Sequence, residues 1–290
     1  MEKKLKLKAY AKVNLQLDVT GRRADGYHEL AGVMQRISLF DEVEISASDM
    51  PSAGNSDIEV IFDEPVPYRN TVRTAAELFL EGSGYRVSIS VKKNIPSEAG
   101  LGGASADAAA VLRGLNALFA GTGLERSEEE LYAMGLRVGA DVPFCLHGGC
   151  AIAAGVGEKL TALSVVPMAL LVVKGDRGVS TAALFKSIDE AGGGATLPEG
   201  SLERLTKAVL EGDIAGIGMG MKNALQPAAE IIAPEIAELT LRMRQAGAIG
   251  ACMTGSGAAV IGLFPDKASA VEARTAFADC AFAMVCNTIN

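Results

Sequence analysis

The chain has 290 residues, 49% of them hydrophobic, and a formal net charge of −8; that is ample material for a core, and it lacks the basic balance expected of a nucleic-acid binder. Aromatics make up only 5% and Trp is absent, so the core must be built from Ala, Val, Leu and Ile. The five cysteines include no C-x-x-C pair, which argues against a disulfide framework or a zinc site; a signal peptide and a membrane helix are likewise not expected, and the cytoplasm is the expected location.

Residues 12–19 alternate strictly, with Val13, Leu15, Leu17 and Val19 pointing one way and Lys12, Asn14, Gln16 and Asp18 the other. This is the period of a half-buried strand, with Lys12 and Asn14 side by side on its polar face. Residues 21–28 form a polar turn rich in chain breakers. Strands are expected at 33–39 and 43–46, a loop at 49–57, a helix at 70–80 capped by Asn70 or Thr71, and a strand at 85–91. A loop over 94–103 leads into a helix at 105–119, whose Ala108, Val111, Leu112, Leu115, Leu118 and Phe119 make an apolar stripe. A short helix at 128–136 is broken at Asp141-Val142-Pro143-Phe144. After a buried strand at 168–173 the pattern turns helical beyond Gly178, with a flexible hinge at Gly192-Gly193-Gly194 and helices at 202–211 and 234–246. A strand at 258–264 and a helix at 267–277 close the chain. Strands and helices mix without a regular βαβ alternation, so the expected class is α+β in two lobes dividing near 150–165, with domains over 1–155 and 156–290.

Three stretches can carry chemistry. Pro96, Ser97, Glu98, Ala99, Gly100, Leu101, Gly102, Gly103, Ala104 and Ser105 run straight into a helix. A phosphate needs several converging N–H donors; glycine lets the backbone come close, and a helix N-terminus adds free N–H groups and partial positive charge. The run is neither a Walker A loop, since no Gly-Lys-Ser/Thr follows, nor a dinucleotide-binding fingerprint. On local grounds it is equally a plain strand–helix turn. Lys12 is a solvated lysine or a site cation, and Asp141 a turn residue or a base. Together they make chemical sense: an Asp beside a cation stays ionised and can accept a hydroxyl proton, while the cation stabilises a transferring phosphoryl group. Thr254-Gly255-Ser256-Gly257, just before a strand, is a second backbone-donor turn or a simple loop. Tyr27 and His28 could read a planar base or be a packed ring and a surface histidine. Phe185 alone reads as core, and His147 as structural.

The order of these pieces resembles the GHMP kinase superfamily, whose three motifs correspond to the strand around Lys12, the loop from Pro96 and the turn from Thr254. Residues 11–15, the R-x-D-G-Y-H run at 23–28 and residues 139–144, with 155–158 and 222–225 in support, are similar to the branch acting on 4-diphosphocytidyl-2-C-methyl-D-erythritol. The resemblance spans nearly the whole chain. It implies a ribosomal-S5-like N-terminal lobe, a ferredoxin-like C-terminal lobe, and ATP-dependent phosphorylation of that substrate's 2-hydroxyl in the non-mevalonate isoprenoid precursor pathway. ATP is expected as its Mg complex, and the partner as a small cytidine-diphosphate alcohol; a monomer or weak homodimer is expected. The resemblance also implies Asp141 as base with Lys12 as its partner, and Pro96 to Ala106 around the ATP phosphates. Tyr27 and Phe185 would sandwich the cytosine, His28 would bond its edge, and Asn14 and Thr181 would help hold the substrate. No protein metal ligand is assigned. The loop departs from the pattern at Glu98, where a small residue is usual, at Ala104 for a third glycine, and at Ala106 for a second serine. A homoserine- or mevalonate-type kinase would share the ATP loop without needing Tyr27 and His28, and a non-catalytic nucleotide-binding module would share the fold without needing Lys12 and Asp141.

Overall fold

Two strands run much further than the alternation marks them. β1 (Lys3–Arg22) and β2 (His28–Ala47) are each 20 residues long. Asp41, which separates the two short strands expected at 33–39 and 43–46, does not end β2, because its buried carboxylate is satisfied from inside by the backbone N–H groups of Asn94 and Ile95. The structure, a computed structural model, describes residues 3–24, 26–48, 56–190 and 196–290; Asp25, most of the loop expected over 49–57 and the Gly192-Gly193-Gly194 hinge lie outside the described residues. Mixed α and β elements in this order bear out the α+β expectation. No helix among the described residues is long and apolar enough to cross a membrane.

The chain forms two compact units, neither a single stretch. The first holds Met1–Ala11, Leu39–Ile95 and Gly103–His147; the second holds Lys12–Ser38, Pro96–Gly102 and Gly148–Asn290. In the first unit β3 (Asp57–Phe62) lies parallel to β4 (Arg86–Lys92), which pairs antiparallel with β2 from Glu42 to Ala47. Between them runs α1 (Thr71–Phe79), capped by the Asn70 side chain, which accepts the Arg73 N–H. α2 (Gly103–Leu118) starts two residues before its expected beginning, so Gly103 and Ala104 are helical. α3 (Glu128–Val138) opens on a Ser127/Glu130 capping box, and α4 (Val142–His147) has Pro143 in its first turn. Pro143 therefore opens a new helix, where its missing N–H does no harm. Val43, Ile45, Ile89 and Val91 pack against Val111, Leu112 and Leu115 of α2 and Phe79 of α1. A Cβ at Gly114 would lie 2.5 Å from Ile45 Cδ1, so the helix seats on the sheet through a missing side chain.

In the second unit β5 (Cys150–Gly155) pairs antiparallel with β2 from Leu30 to Gln35 and with β6 (Lys159–Leu163). β7 (Ala169–Lys174) is central in an antiparallel sheet of order β11-β7-β10-β9. Its helices are α5 (Thr181–Glu190), α6 (Ser201–Glu211), α7 (Ile214–Gly220), α8 (Gln226–Ile232), α9 (Glu235–Gln245) and α10 (Lys267–Arg274). The short β8 (Lys222–Asn223) lies parallel to β1 at Gln16 and Leu17. β9 (Gly250–Met253), β10 (Val260–Phe264) and β11 (Phe282–Asn287) complete the sheet. Leu171, Val173 and Val260 meet Ile236, Leu239 and Met243 of α9 in its core.

A buried charge cluster closes the first unit. The Lys93 ammonium reaches both the Asp41 carboxylate and, at 2.6 Å, that of Asp107 on α2. Burial pushes Asp107 up to about 7, with the Lys93 charge pulling back and the Asp41 charge adding to the rise. The folded state thus holds a proton that an unfolded carboxyl releases near pH ~4, and this group's contribution to stability falls as pH rises from about 4 to about 7. Asp107→Asn should lack that slope. The urea-unfolding free energy of the wild type minus that of the variant is expected to decline through the window and level off above it; a difference that is flat throughout would contradict the assignment.

Candidate active site

The polar face of β1 is not solvated at residues 12–16, contrary to the half-buried strand expected from its alternation. Lys12, Asn14 and Gln16 are 4%, 2% and 1% exposed, because other segments of the second unit cover that face and supply its hydrogen bonds. The Lys12 ammonium donates to Asn14 Oδ1 at 2.8 Å, and the Asn14 N–H donates to Thr254 Oγ1 at 2.8 Å. The Lys12 N–H donates to the Leu101 carbonyl at 3.0 Å. A Cβ at Gly102, whose φ is +69°, would lie 2.9 Å from Lys12 Cγ, so the lysine stem lies across the glycine loop.

The loop and the Thr254 turn are joined through their backbones. The N–H groups of Ala258 and Ala259 donate to the carbonyls of Glu98 and Ala99 at 3.0 and 3.2 Å. A Cβ at Gly100, φ +71°, would lie 2.1 Å from the Thr254 carbonyl oxygen, and one at Gly255 would lie 2.6 Å from that of Gly100. Asn223 pins the turn: its side-chain amide donates to the carbonyls of Met253 and Gly255, both at 2.8 Å. In a trans peptide the carbonyl of one residue and the N–H of the next point in opposite directions. The carbonyls of Glu98, Ala99 and Leu101 are tied to the Thr254 turn and β1, so the amides of Ala99, Gly100 and Gly102 each point away from the partner of the carbonyl before it. The side chains of Ala99 and Leu101 are buried, and Ser97 is exposed. Glu98 has φ +50°, unusual without glycine, and its carboxylate lies where a Cβ on Gly178 would be, 2.1 Å from Oε2.

α5 adds the other predicted positions in this unit. Thr181 Oγ1 and Ser256 Oγ are 2.6 Å apart. The Phe185 ring stacks on His28, with centroids 4.6 Å apart and planes at 21°. His28 Nε2 lies 3.0 Å from Asp189 Oδ1, and Arg22 Nη2 lies 3.2 Å from Asp189 Oδ2. Tyr27 is 64% exposed. Lys12, Asn14, His28, Thr181, Phe185 and Pro96 through Gly102 thus belong to one unit, while Gly103, Ala104, Ser105, Ala106 and Asp141 belong to the other.

In that first unit Thr71 Oγ1 donates to the Ala104 carbonyl at 2.7 Å, and Ala106 packs into the core. Asp141, half-buried, immediately precedes α4, and its carbonyl accepts the Cys145 N–H at 3.1 Å. A Cβ on Gly139 would lie 3.8 Å from Ser105 Oγ, which brings that hydroxyl within two residues of Asp141 along the chain. Sequence reasoning gave no role to Asn223 or Asp189. Asn223 stands within residues 222–225, which support the resemblance, and Asp189 carries no local signal at all.

Comparison with known proteins matches two stretches of the chain. Residues 70–149 match the GHMP kinases N terminal domain, and residues 205–282 match GHMP kinases C terminal. The chain is similar to a 4-diphosphocytidyl-2-C-methyl-D-erythritol kinase of Caldicellulosiruptor saccharolyticus, at 41% identity over 92% of this chain and 90% of the relative. A protein of the same name from Pelotomaculum thermopropionicum is 42% identical over 90% of each chain. A crystal structure of 4-(cytidine 5'-diphospho)-2C-methyl-D-erythritol kinase superposes with a TM-score of 0.79 at 34% identity, covering 99% of this chain and all (100%) of the other.

Gly100→Ala is expected to destabilise by on the order of 1–3 kcal/mol or more, since it adds left-handed strain to a backbone collision. Gly123→Ala, where a Cβ meets nothing within 4 Å, should leave the thermal midpoint nearly unchanged. Equal midpoints for the two variants would refute the close approach.

Proposed function

The chain belongs to the GHMP kinases and, within them, to the 4-diphosphocytidyl-2-C-methyl-D-erythritol kinases, and we propose that it transfers the γ-phosphate of ATP to the 2-hydroxyl of 4-diphosphocytidyl-2-C-methyl-D-erythritol in the non-mevalonate isoprenoid precursor pathway. One observation carries the reading beyond the family: a glycine loop whose carbonyls at Glu98, Ala99 and Leu101 are tied to the Thr254 turn and β1, with the buried Lys12 stem laid across it. Backbone N–H groups arranged in this way suit an anion, and an ammonium beside them suits the charge that spreads over a transferring phosphoryl group.

Residues Pro96 to Ala106 hold the ATP phosphates. Asp141 accepts the proton of the 2-hydroxyl as general base, with Lys12 as its cationic partner. The hydroxyl oxygen bonds to the γ-phosphorus while the bond to the β–γ bridging oxygen breaks, and ADP leaves. Tyr27 and Phe185 give the cytosine two aromatic faces, about 1–3 kcal/mol per stacked base; His28 meets its edge, and Asn14 and Thr181 hold the rest of the substrate. Positioning of this kind, rather than covalent chemistry, sets the rate.

ATP arrives as its Mg²⁺ complex. Among the described residues no group of three or more His, Cys, Asp or Glu could hold a metal ion, and Mg²⁺ ordinarily uses one or two carboxylates together with substrate phosphates. The ion would then be held mainly by the ATP phosphates, with the Ser105 hydroxyl in the first turn of α2 as the side-chain oxygen offered to it, and would neutralise phosphate charge. The N-terminal kinase domain is taken as 1–155 and the C-terminal as 156–290, a division supported by the two family matches falling one on each side of it. A cytoplasmic location and a monomer or weak homodimer belong to the same proposal.

A coupled ADP-release assay with the cytidyl alcohol, homoserine and mevalonate, each with and without Mg²⁺, tests the reading. Turnover of the cytidyl alcohol alone is expected, and turnover of either of the others in its place would overturn it. In the same assay Asp141→Asn should lower turnover by about 10²-fold or more with much less effect on ATP binding. Near-wild-type turnover would remove Asp141 from the base role.

A further inference from the structure

We propose that Asp189 is a positioning residue that holds His28 in the tautomer with its proton on Nε2, so that Nδ1 presents a lone pair and the site selects a base with an amino group, cytosine over uracil. The inference rests on the reading that His28 meets the base edge.

An ionised carboxylate only accepts hydrogen bonds. The imidazole nitrogen 3.0 Å from Asp189 Oδ1 must therefore carry the ring's proton, which in a neutral ring leaves the other nitrogen as an acceptor. The carboxylate is itself fixed, since its second oxygen takes Arg22 Nη2 at 3.2 Å. Asp189 also stands four residues after Phe185 on α5, on the same helix face. That face thus meets the imidazole twice, the Phe185 ring against its plane at 4.6 Å and the Asp189 carboxylate at its edge. The His28 side chain is only 10% exposed, so a flipped ring would exchange a charge-assisted bond for a poorer one.

The outcome at Nδ1 is a matter of sign. Cytosine carries an amino donor at C4, whereas uracil, like thymine, carries a carbonyl acceptor there. A lone pair facing that position pairs with the first and opposes the second. The other tautomer would reverse the preference. A site built to bond a polar group rejects the analogue that cannot answer it, because the site's own polar group is then left unpaired.

The chain has only two histidines, so ¹⁵N-imidazole NMR assigns His28 directly, with a His147→Gln sample identifying the other ring. In spectra of the neutral ring the wild type should show a protonated Nε2 and an unprotonated Nδ1 at His28. Asp189→Ala should show averaged, mixed-tautomer shifts. In kinetics with the cytidine- and uridine-diphosphate forms of the alcohol, Asp189→Ala should lose about tenfold of the preference in kcat/KM for the cytidyl form. KM for ATP should stay unchanged, and Asp189→Glu should recover part of the preference. An Nδ1-protonated ring in the wild type, or identical spectra and preferences in wild type and Asp189→Ala, overturns the proposal. If Asp189→Ala does not fold, the wild-type spectrum decides alone. A wild type with the Nε2–H tautomer but no turnover of either nucleotide alcohol would sink the substrate reading and leave the positioning of His28 standing.

Discussion

Everything at the candidate site depends on two backbones passing closer than any side chain permits. The Thr254 carbonyl occupies the place of a Cβ on residue 100, and the Gly100 carbonyl crowds that of residue 255. This contact lets Ala258 and Ala259 bond the carbonyls of Glu98 and Ala99. It also explains why the loop tolerates its unusual residues. The donors are backbone groups, so Ala104 in place of glycine and Ala106 in place of serine remove no N–H. Ala106 is spent on the core. The Glu98 carboxylate lies along Gly178.

The alternation at 12–19 located a strand, and its length and surroundings were not in the pattern. A two-residue period says only that two faces differ; it cannot say whether the polar one meets water or a buried polar seam. Here it meets a seam. Asn14 bonds Thr254, and Gln16 donates to the Gly220 carbonyl at 3.1 Å. Those partners are more than two hundred residues away in the chain, which no local window can supply. The opposite error occurred in β5 and β9, which are rich in Ala, Gly and Cys, residues of little intrinsic strand preference. Their state is decided by neighbouring strands, β2 and β6 for β5 and β10 for β9. β3 was missed more avoidably, since Ile58, Val60 and Phe62 do alternate with exposed Asp57, Glu59 and Ile61.

Within the site, legibility followed locality. The glycine loop and the Thr254 turn announce themselves because glycine spacing is a property of consecutive residues. The capped starts of α1 and α3 were readable for the same reason. Asn223 and Asp189 act on groups 30 and 161 residues away, and their types are ordinary for a turn and a helix surface. Their importance lies in the acceptors they meet, which only the fold brings to them.

The spacing of α5 ties these observations to the size of the substrate. Thr181, Phe185 and Asp189 recur every four residues and so share one helix face. The first bonds Ser256 in the turn that is joined to the glycine loop; the last two hold His28 at the start of β2. At about 1.5 Å of rise per residue, eight residues separate the two ends by about 12 Å. A short alcohol held near the loop would leave the His28 end of that face with nothing to recognise. An acceptor that carries its hydroxyl on one end of a diphosphate and a base on the other uses both. On the proposed function, α5 therefore acts as a ruler between the residues assigned to phosphate and those assigned to the base.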